Sequence, residues 1–320
     1  MKILVVRFSS IGDVVLTTPV IRCLKQQVPG LELHYLTKQQ FQFIVQQNPY
    51  TDKVFAVQKN IKEVLPALKK EKYDYIIDLH HNLRTMQLKL ALGVKTFSFN
   101  KLNYQKWLKV NLKVDKLPRV HIVDRYFETV KVLAVKNDGK GLDYFFPQKD
   151  EVNVNELKPL LTKGFYALVA GGSYYTKQIP LSKLKEICAL SDKPLVVLGG
   201  KEDAATAAQL EKEFPAKVIN ACGKYTLNQS ASLIKQAEKV ITSDTGLMHI
   251  AAAFKKDVVS LWGNTVPEFG MYAYLPGAKS KQLEVHKLQC RPCSKLGYKK
   301  CPKGHFKCMN EINIKEVFNN

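Results

Sequence analysis

Acidic side chains are in short supply. Against 49 lysines and arginines the chain sets 28 aspartates and glutamates, a formal net charge of +21. Such a balance calls for an anionic partner: nucleic acid, an anionic membrane or a phosphorylated substrate. Long apolar runs are missing as well. No window reaches the roughly 18 continuous apolar residues of a spanning helix. Met1-Lys2 leads directly into Ile3-Leu-Val-Val6 and Arg7, without the longer apolar core of a signal peptide, so a cytoplasmic protein is expected. Seven cysteines in 320 residues are too few for a disulfide scaffold. There is no Walker phosphate loop, and no Gly-x-Gly-x-x-Gly follows the first strand of either half, which argues against nicotinamide chemistry. Disorder is excluded by a hydrophobic content of 46% and a charged content of 24%.

What is present is alternation. Buried strands are expected at Ile3–Val6, Leu31–Leu36, Lys53–Val57, Tyr73–Leu79 and Val94–Phe99. Helical segments fall between them, at Val14–Gln27, Lys62–Lys70 and Leu83–Leu92, with His121–Val135 after the last strand. Pro19 either kinks the first helix or lies in its first turn, the helix then starting near Thr17-Thr18. Residues Lys136–Asn155 lose this periodicity and read as a linker. A second set follows, with strands at Phe165–Ala170, Pro194–Leu198, Val218-Ile219, Lys239–Thr242, Val258–Trp262 and Leu283–His286. Alternation of this kind specifies an α/β protein with doubly wound parallel sheets. Domains are expected over 1–150 and 151–310, with a short terminal helix over 311–320. Two such domains should face each other across a cleft.

The polar turns gather at the carboxyl ends of strands, where open α/β sheets bind ligands. In the first half the turn is Ser9-Ser10-Ile-Gly12-Asp13. Asp13 there can serve as a general base or as a helix N-cap. In the second half, Gly171-Gly-Ser173 precedes Lys177, which can neutralise a diphosphate or simply lie on the surface. Glu202 follows Gly199-Gly200 and suits ribose hydroxyls or the dipole of a following helix. Ser243-Asp-Thr-Gly-Leu-Met-His249 joins a strand to a helix. Asp244 or Thr245 can cap that helix, Gly246 allows close backbone approach, and His249 lies one turn on.

Two further features stand apart from the turns. From Leu79 to Val114 there is no acidic residue, while seven lysines and arginines alternate with Tyr104 and Trp107. The stretch reads either as a solvated face or as a surface for an anionic membrane. Cys290-Arg-Pro-Cys293, Cys301 and Cys308 crowd the last quarter. Four thiolates of this kind can hold a structural zinc, or remain free thiols.

Lys2-Ile-Leu-Val-Val-Arg-Phe-Ser-Ser-Ile-Gly-Asp-Val14 resembles the amino-terminal signature of the family 9 glycosyltransferases, the heptosyltransferases. Ser243–His249 resembles their nucleotide-sugar motif. Tyr73–Leu79 with Leu83-Arg84, Thr176–Pro180 and Gly199–Glu202 fall where that family has similar segments. The resemblance implies a GT-B fold whose terminal helix returns to the first domain. It implies transfer of heptose from ADP-heptose to an anionic glycolipid, the lipopolysaccharide inner core, with inversion and without a catalytic metal. By the same resemblance Asp13 is the general base. Ser173, Lys177, Glu202, Asp244, Thr245, Gly246 and His249 bind the donor, and Ser9, Ser10, Gly12 and Arg84 face phosphate or acceptor. The basic first domain is then expected to touch the inner face of the inner membrane. A nucleic-acid partner is not expected, because no recognised reading module is present. Another nucleotide sugar remains an alternative donor.

Overall fold

The computed structural model describes residues 1–319. The chain divides into two compact units, Met1–Lys101 with Val120–Pro147, and Leu102–Arg119 with Gln148 onward. Each unit is built on one parallel sheet.

In the first unit, β1 (Lys2–Val6), β2 (Glu32–Lys38), β3 (Lys53–Val57), β4 (Tyr75–Asp78) and β5 (Thr96–Ser98) lie in the order β3-β2-β1-β4-β5. Val5 pairs with Tyr35 on one side and Ile77 on the other. Ile3 to Val6 are fully buried, as a central parallel strand covered on both faces requires. The strand order reverses between β1 and β4. The loops leaving the carboxyl ends of these two neighbours therefore open the crevice where such sheets take ligands. A short helix, α1 (Ile11–Val15), follows β1. A second, α2 (Thr18–Gln27), starts with Pro19 in its first turn, where a missing N–H costs nothing. The proline thus separates two helices and does not kink one. The expected helix over residues 121–135 is regular only across Ile122–Phe127 and tightens to a 3₁₀ turn over Glu128–Leu133.

The second sheet comprises β6 (Tyr166–Val169), β7 (Leu195–Leu198), β8 (Val218–Asn220), β9 (Lys239–Ser243), β10 (Asp257–Trp262) and β11 (Lys281–Glu284), in the order β11-β10-β9-β6-β7-β8. All its pairings are parallel, with Leu168 opposite Ile241 and Ser243 opposite Leu261. Here the order reverses between β6 and β9.

Three expectations about organisation need correction. Residues 102–119, read as part of the first domain, pack with the second unit. Leu102 and Leu117 share an apolar cluster with Val266 and Phe269, and Lys109 reaches Glu268 at 3.3 Å. Residues 136–147 are no linker. Arg22 on α2, almost fully buried, makes a forked pair with Asp138 at 2.8 and 2.9 Å, and also bonds Asp143 and the Gly141 carbonyl. The terminal turn, Ile314–Val317, expected against the first unit, packs within the second. Ile312, Ile314 and Val317 sit in the apolar core of the second sheet with Leu184 and Leu283. Apolar burial decides both of the displaced segments. The last residue of the expected terminal helix, Asn320, lies outside the described residues.

Removing one member of a buried charge pair strands the other. Arg22→Ala should lower the unfolding free energy by about 3 kcal/mol, measured by urea denaturation. Arg22→Lys should recover only part of it, because an ammonium cannot match the forked contact with Asp138.

Candidate active site

The crevice of the first unit is organised by Arg7, just past β1. Arg7 is 7% exposed. Nε donates to the Ser9 carbonyl at 2.8 Å, Nη1 to the Leu79 carbonyl and to the Tyr126 hydroxyl at 3.1 Å, and Nη2 pairs with Asp13 Oδ1. Burial opposes the charge on Arg7, but Asp13 and nearby tyrosines outweigh it and raise the guanidinium above its ordinary value. Asp13 is the third residue of α1. Its Oδ2 accepts from the Ser10 N–H at 3.0 Å and the Ser10 hydroxyl at 2.7 Å. Asp13 thus closes a capping box and also faces a cation. The two readings of this residue describe one geometry. Gly12 is buried within α1, and Ser9 contributes its carbonyl.

The loop after β4 stands beside this turn. Asp78 is fully buried, paired with Lys89 at 2.7 Å, and accepts from the N–H groups of His80 and His81. Arg84, on α3 (Leu83–Leu92), stacks over the Phe8 ring at 5.5 Å, and Phe8 meets the His80 ring edge at 5.2 Å. Burial, then the charges of Arg7 and Lys101, pushes the His80 imidazole down to about 3. Its Nδ1 is buried without a partner among the described residues. Arg7 and His80 are site features that the sequence reading did not select. The only signal was a charge directly after a buried strand.

In the second unit the crevice lies at the carboxyl ends of β6, β7 and β9. Lys177 Nζ meets Asp244 Oδ2 at 2.5 Å, and Asp244 also accepts from the Thr265 hydroxyl at 3.0 Å. Asp244 is therefore an ion-pair partner and not the cap. Thr245 takes the N-cap of α4 (Gly246–Ala253), but its side chain makes no capping bond. Its hydroxyl is 3.1 Å from that of Thr242. The first N–H groups of α4 thus have no side-chain acceptor, the arrangement a phosphate uses. His249 is buried one turn into α4, while Ser173 and Glu202 are exposed at the turns after β6 and β7. Asp203, next to Glu202, is the structural carboxylate. It is buried, accepts from the Gly200 N–H at 2.8 Å, and sits so close to Gly171 and Gly199 that a Cβ on either would fall within 2.7 Å of its Oδ2. Gln178 braces the same turn by donating to the Gly172 carbonyl at 2.9 Å.

Cys290, Cys293 and Cys301 are free thiols in one loop, and Cys308 is a free thiol buried in the short helix Lys307–Asn310 that follows it. Burial first, then the neighbouring sulfurs, pushes Cys293 up to about 11 and Cys308 to about 12. Both thiols feel the charge of Cys290 and Cys301. His305 Nε2 lies 3.9 Å from Cys290 Sγ. A second cluster, Glu32, His34 and Glu71, is already neutralised: Lys2 reaches Glu71 at 2.8 Å and Glu32 at 3.0 Å, and Lys53 reaches Glu71 at 2.6 Å. It is an ion-pair network on the first sheet.

Comparison with known proteins decides the family. The profile of Glycosyltransferase family 9 (heptosyltransferase) matches residues 61–303. The chain belongs to glycosyltransferase family 9. It is a glycosyltransferase, and its two parallel-sheet units are those of the GT-B fold. Lipopolysaccharide heptosyltransferase 1 of Campylobacter coli is 24% identical over 83% of this chain and 84% of that protein. The crystal structure of a family 9 glycosyltransferase from Veillonella parvula superposes with a TM-score of 0.71 at 22% identity, covering 89% of this chain and 86% of that one. The E. coli ADP-heptose lipopolysaccharide heptosyltransferase II gives 0.68 at 18% identity, over 99% of this chain and 100% of its own.

The depressed His80 value carries a pH signature. In the unfolded chain its imidazole protonates near 6.5, and in the folded chain near 3. Between these values the unfolded state binds the extra proton, so stability is complete above the upper value and falls as pH drops. His80→Gln should flatten the decline in melting temperature over that window. An unaltered slope would assign the acid sensitivity to other groups.

Proposed function

We propose that this glycosyltransferase moves heptose from ADP-heptose to the phosphorylated inner core of lipopolysaccharide, with inversion and without a catalytic metal. The observation that carries the donor side is the Lys177–Asp244 pair beside the uncapped start of α4. A diphosphate entering there competes for Lys177 and meets free N–H groups. Ser173, Thr245 and Gly246 line its approach, Glu202 serves the ribose, and His249 backs the turn. On the acceptor side, Asp13 takes the proton of the attacking hydroxyl. That oxygen bonds the anomeric carbon as the bond to the diphosphate oxygen breaks, and ADP leaves with its charge answered by Lys177 and α4. Arg7 and Ser10 fix the Asp13 carboxylate, while Arg84 and the Ser9-Ser10 turn face the acceptor's phosphate.

Exposed apolar side chains support contact with an anionic membrane at the cytoplasmic face. Among the described residues no helix is long and apolar enough to cross a membrane. Leu83, Met86 and Leu90 form an exposed stripe on α3, beside Arg84 and Lys89. Tyr104, Trp107 and Leu112 are exposed among Lys106, Lys109 and Lys113. Such a mixture of aromatic and basic groups suits a headgroup layer. Three of the lysines are spent internally, however, since Lys89 pairs with Asp78, Lys109 with Asp115, and Lys113 donates to the Val110 and Pro292 carbonyls.

Asp13→Asn should reduce transfer from ADP-heptose by about 10²–10⁴-fold with donor affinity retained. Near-normal turnover in that variant would leave Asp13 a helix cap. Comparing ADP-heptose with other nucleotide sugars in the same assay fixes the donor. Thiols are soft ligands, and Cys290, Cys293, Cys301 and Cys308 suit a structural zinc outside the reaction. Elemental analysis of protein purified without chelator should find about one zinc per chain. None would leave the group as free thiols.

A further inference from the structure

The cysteine-bearing loop is stitched to the loop that carries Lys177. Thr176, the residue before that lysine, is 1% exposed. Its N–H donates to the Tyr298 carbonyl at 3.2 Å, and the Tyr298 N–H donates back to Thr176 Oγ1 at 2.8 Å. The Thr176 carbonyl accepts from the Asn264 N–H at 3.4 Å, and the Asn264 carbonyl accepts from the Cys293 N–H at 3.1 Å. Arg291, between the first two cysteines, is anchored by Glu284 at 2.5 Å. From there its Nε donates to the Gly263 carbonyl at 2.6 Å and its Nη2 to the Thr265 carbonyl at 2.8 Å. The Thr265 hydroxyl holds Asp244, and Asp244 holds Lys177. The bonds close a ring. It runs from Arg291 through Thr265 and Asp244 to Lys177, and back through Thr176 and Tyr298 into the same loop.

We propose that Arg291 and Thr176 are positioning residues for donor binding. The Cys290–Cys301 loop fixes where the Lys177 ammonium stands, through backbone carbonyls on one side and the Thr176–Tyr298 pair on the other. Lysine is a point charge on a flexible four-carbon stem, so its value to a diphosphate depends on what holds its base and its partner. Little slack exists at the crossing point, since a Cβ on Gly263 would stand 2.6 Å from the Thr176 carbonyl. The inference rests on the reading of Lys177 as a diphosphate ligand. It adds that the cysteine loop is part of the donor site's support, at a distance from any reacting atom.

The test compares ADP with adenosine by calorimetric titration, with circular dichroism and melting temperature as checks on folding. Lys177→Ala is the reference and should weaken ADP while sparing adenosine. Thr176→Val removes the hydroxyl that accepts from Tyr298 and should weaken ADP about tenfold with adenosine unchanged. Thr176→Ser keeps the hydroxyl and should restore wild-type affinity. Arg291→Lys should show the same selective loss, because an ammonium cannot bridge the two carbonyls. In turnover the change should appear in the donor KM more than in kcat. If Lys177→Ala is selective while folded Thr176→Val binds ADP normally, or loses both ligands equally, the inference fails and the donor reading stands. If Lys177→Ala is itself unselective, the donor reading falls and the positioning role falls with it.

Discussion

A guanidinium withdrawn from water must find partners for five N–H donors, and this chain meets that demand at three critical places. Arg7 is answered by two carbonyls, a tyrosine hydroxyl and Asp13. Arg22 is answered by Asp138, Asp143 and a carbonyl. Arg291 is answered by Glu284 and three carbonyls. In each case the arginine joins a strand, a helix or a loop to a stretch of irregular backbone. The planar fork sets direction as well as charge, which a lysine could not do. Asp13 and Asp244 are placed, directly or at one remove, by these buried forks.

The two units reach the same solution by different chemistry. The crevice of the first is walled by aromatic and cationic stacking, with Arg84 over Phe8 and a neutral His80 alongside. The crevice of the second is polar and small-residue, with an acid–base pair and open helical N–H groups. Each sits where its strand order reverses, at β1/β4 and at β6/β9. Position is thus a consequence of topology, and character is a consequence of which side chains the turns carry.

Much of this was readable from the residues. The continuous apolar strands and the polar turns after them show as period and punctuation, so both sheets and the places of Asp13, Lys177 and Asp244 were visible. Pro19, whose local pattern fits a kink or a first turn, takes the first turn of α2. What was hidden depended on distant partners. Nothing local says that Leu102 and Leu117 will seek Val266 and Phe269, or that Arg22 will order residues 138–143. The Arg7–Asp13 pair spans only six residues, yet it needs the strand to end and the helix to turn before it can be seen. Asp203 looked like a neighbour of Glu202, and only its packing against Gly171 and Gly199 sets it apart.

The chain passes between the units three times, after Lys101, Arg119 and Pro147. Residues 102–119 belong to the unit whose sheet comes later in synthesis. On a ribosome adding about 15 residues per second, Leu102 and Leu117 emerge roughly ten seconds before Val266 and Phe269. Until then this segment, with Tyr104 and Trp107 among its lysines, has no apolar seat to occupy. The first unit must therefore close around an unfilled excursion, and a nascent chain exposes this stretch while it is still being made.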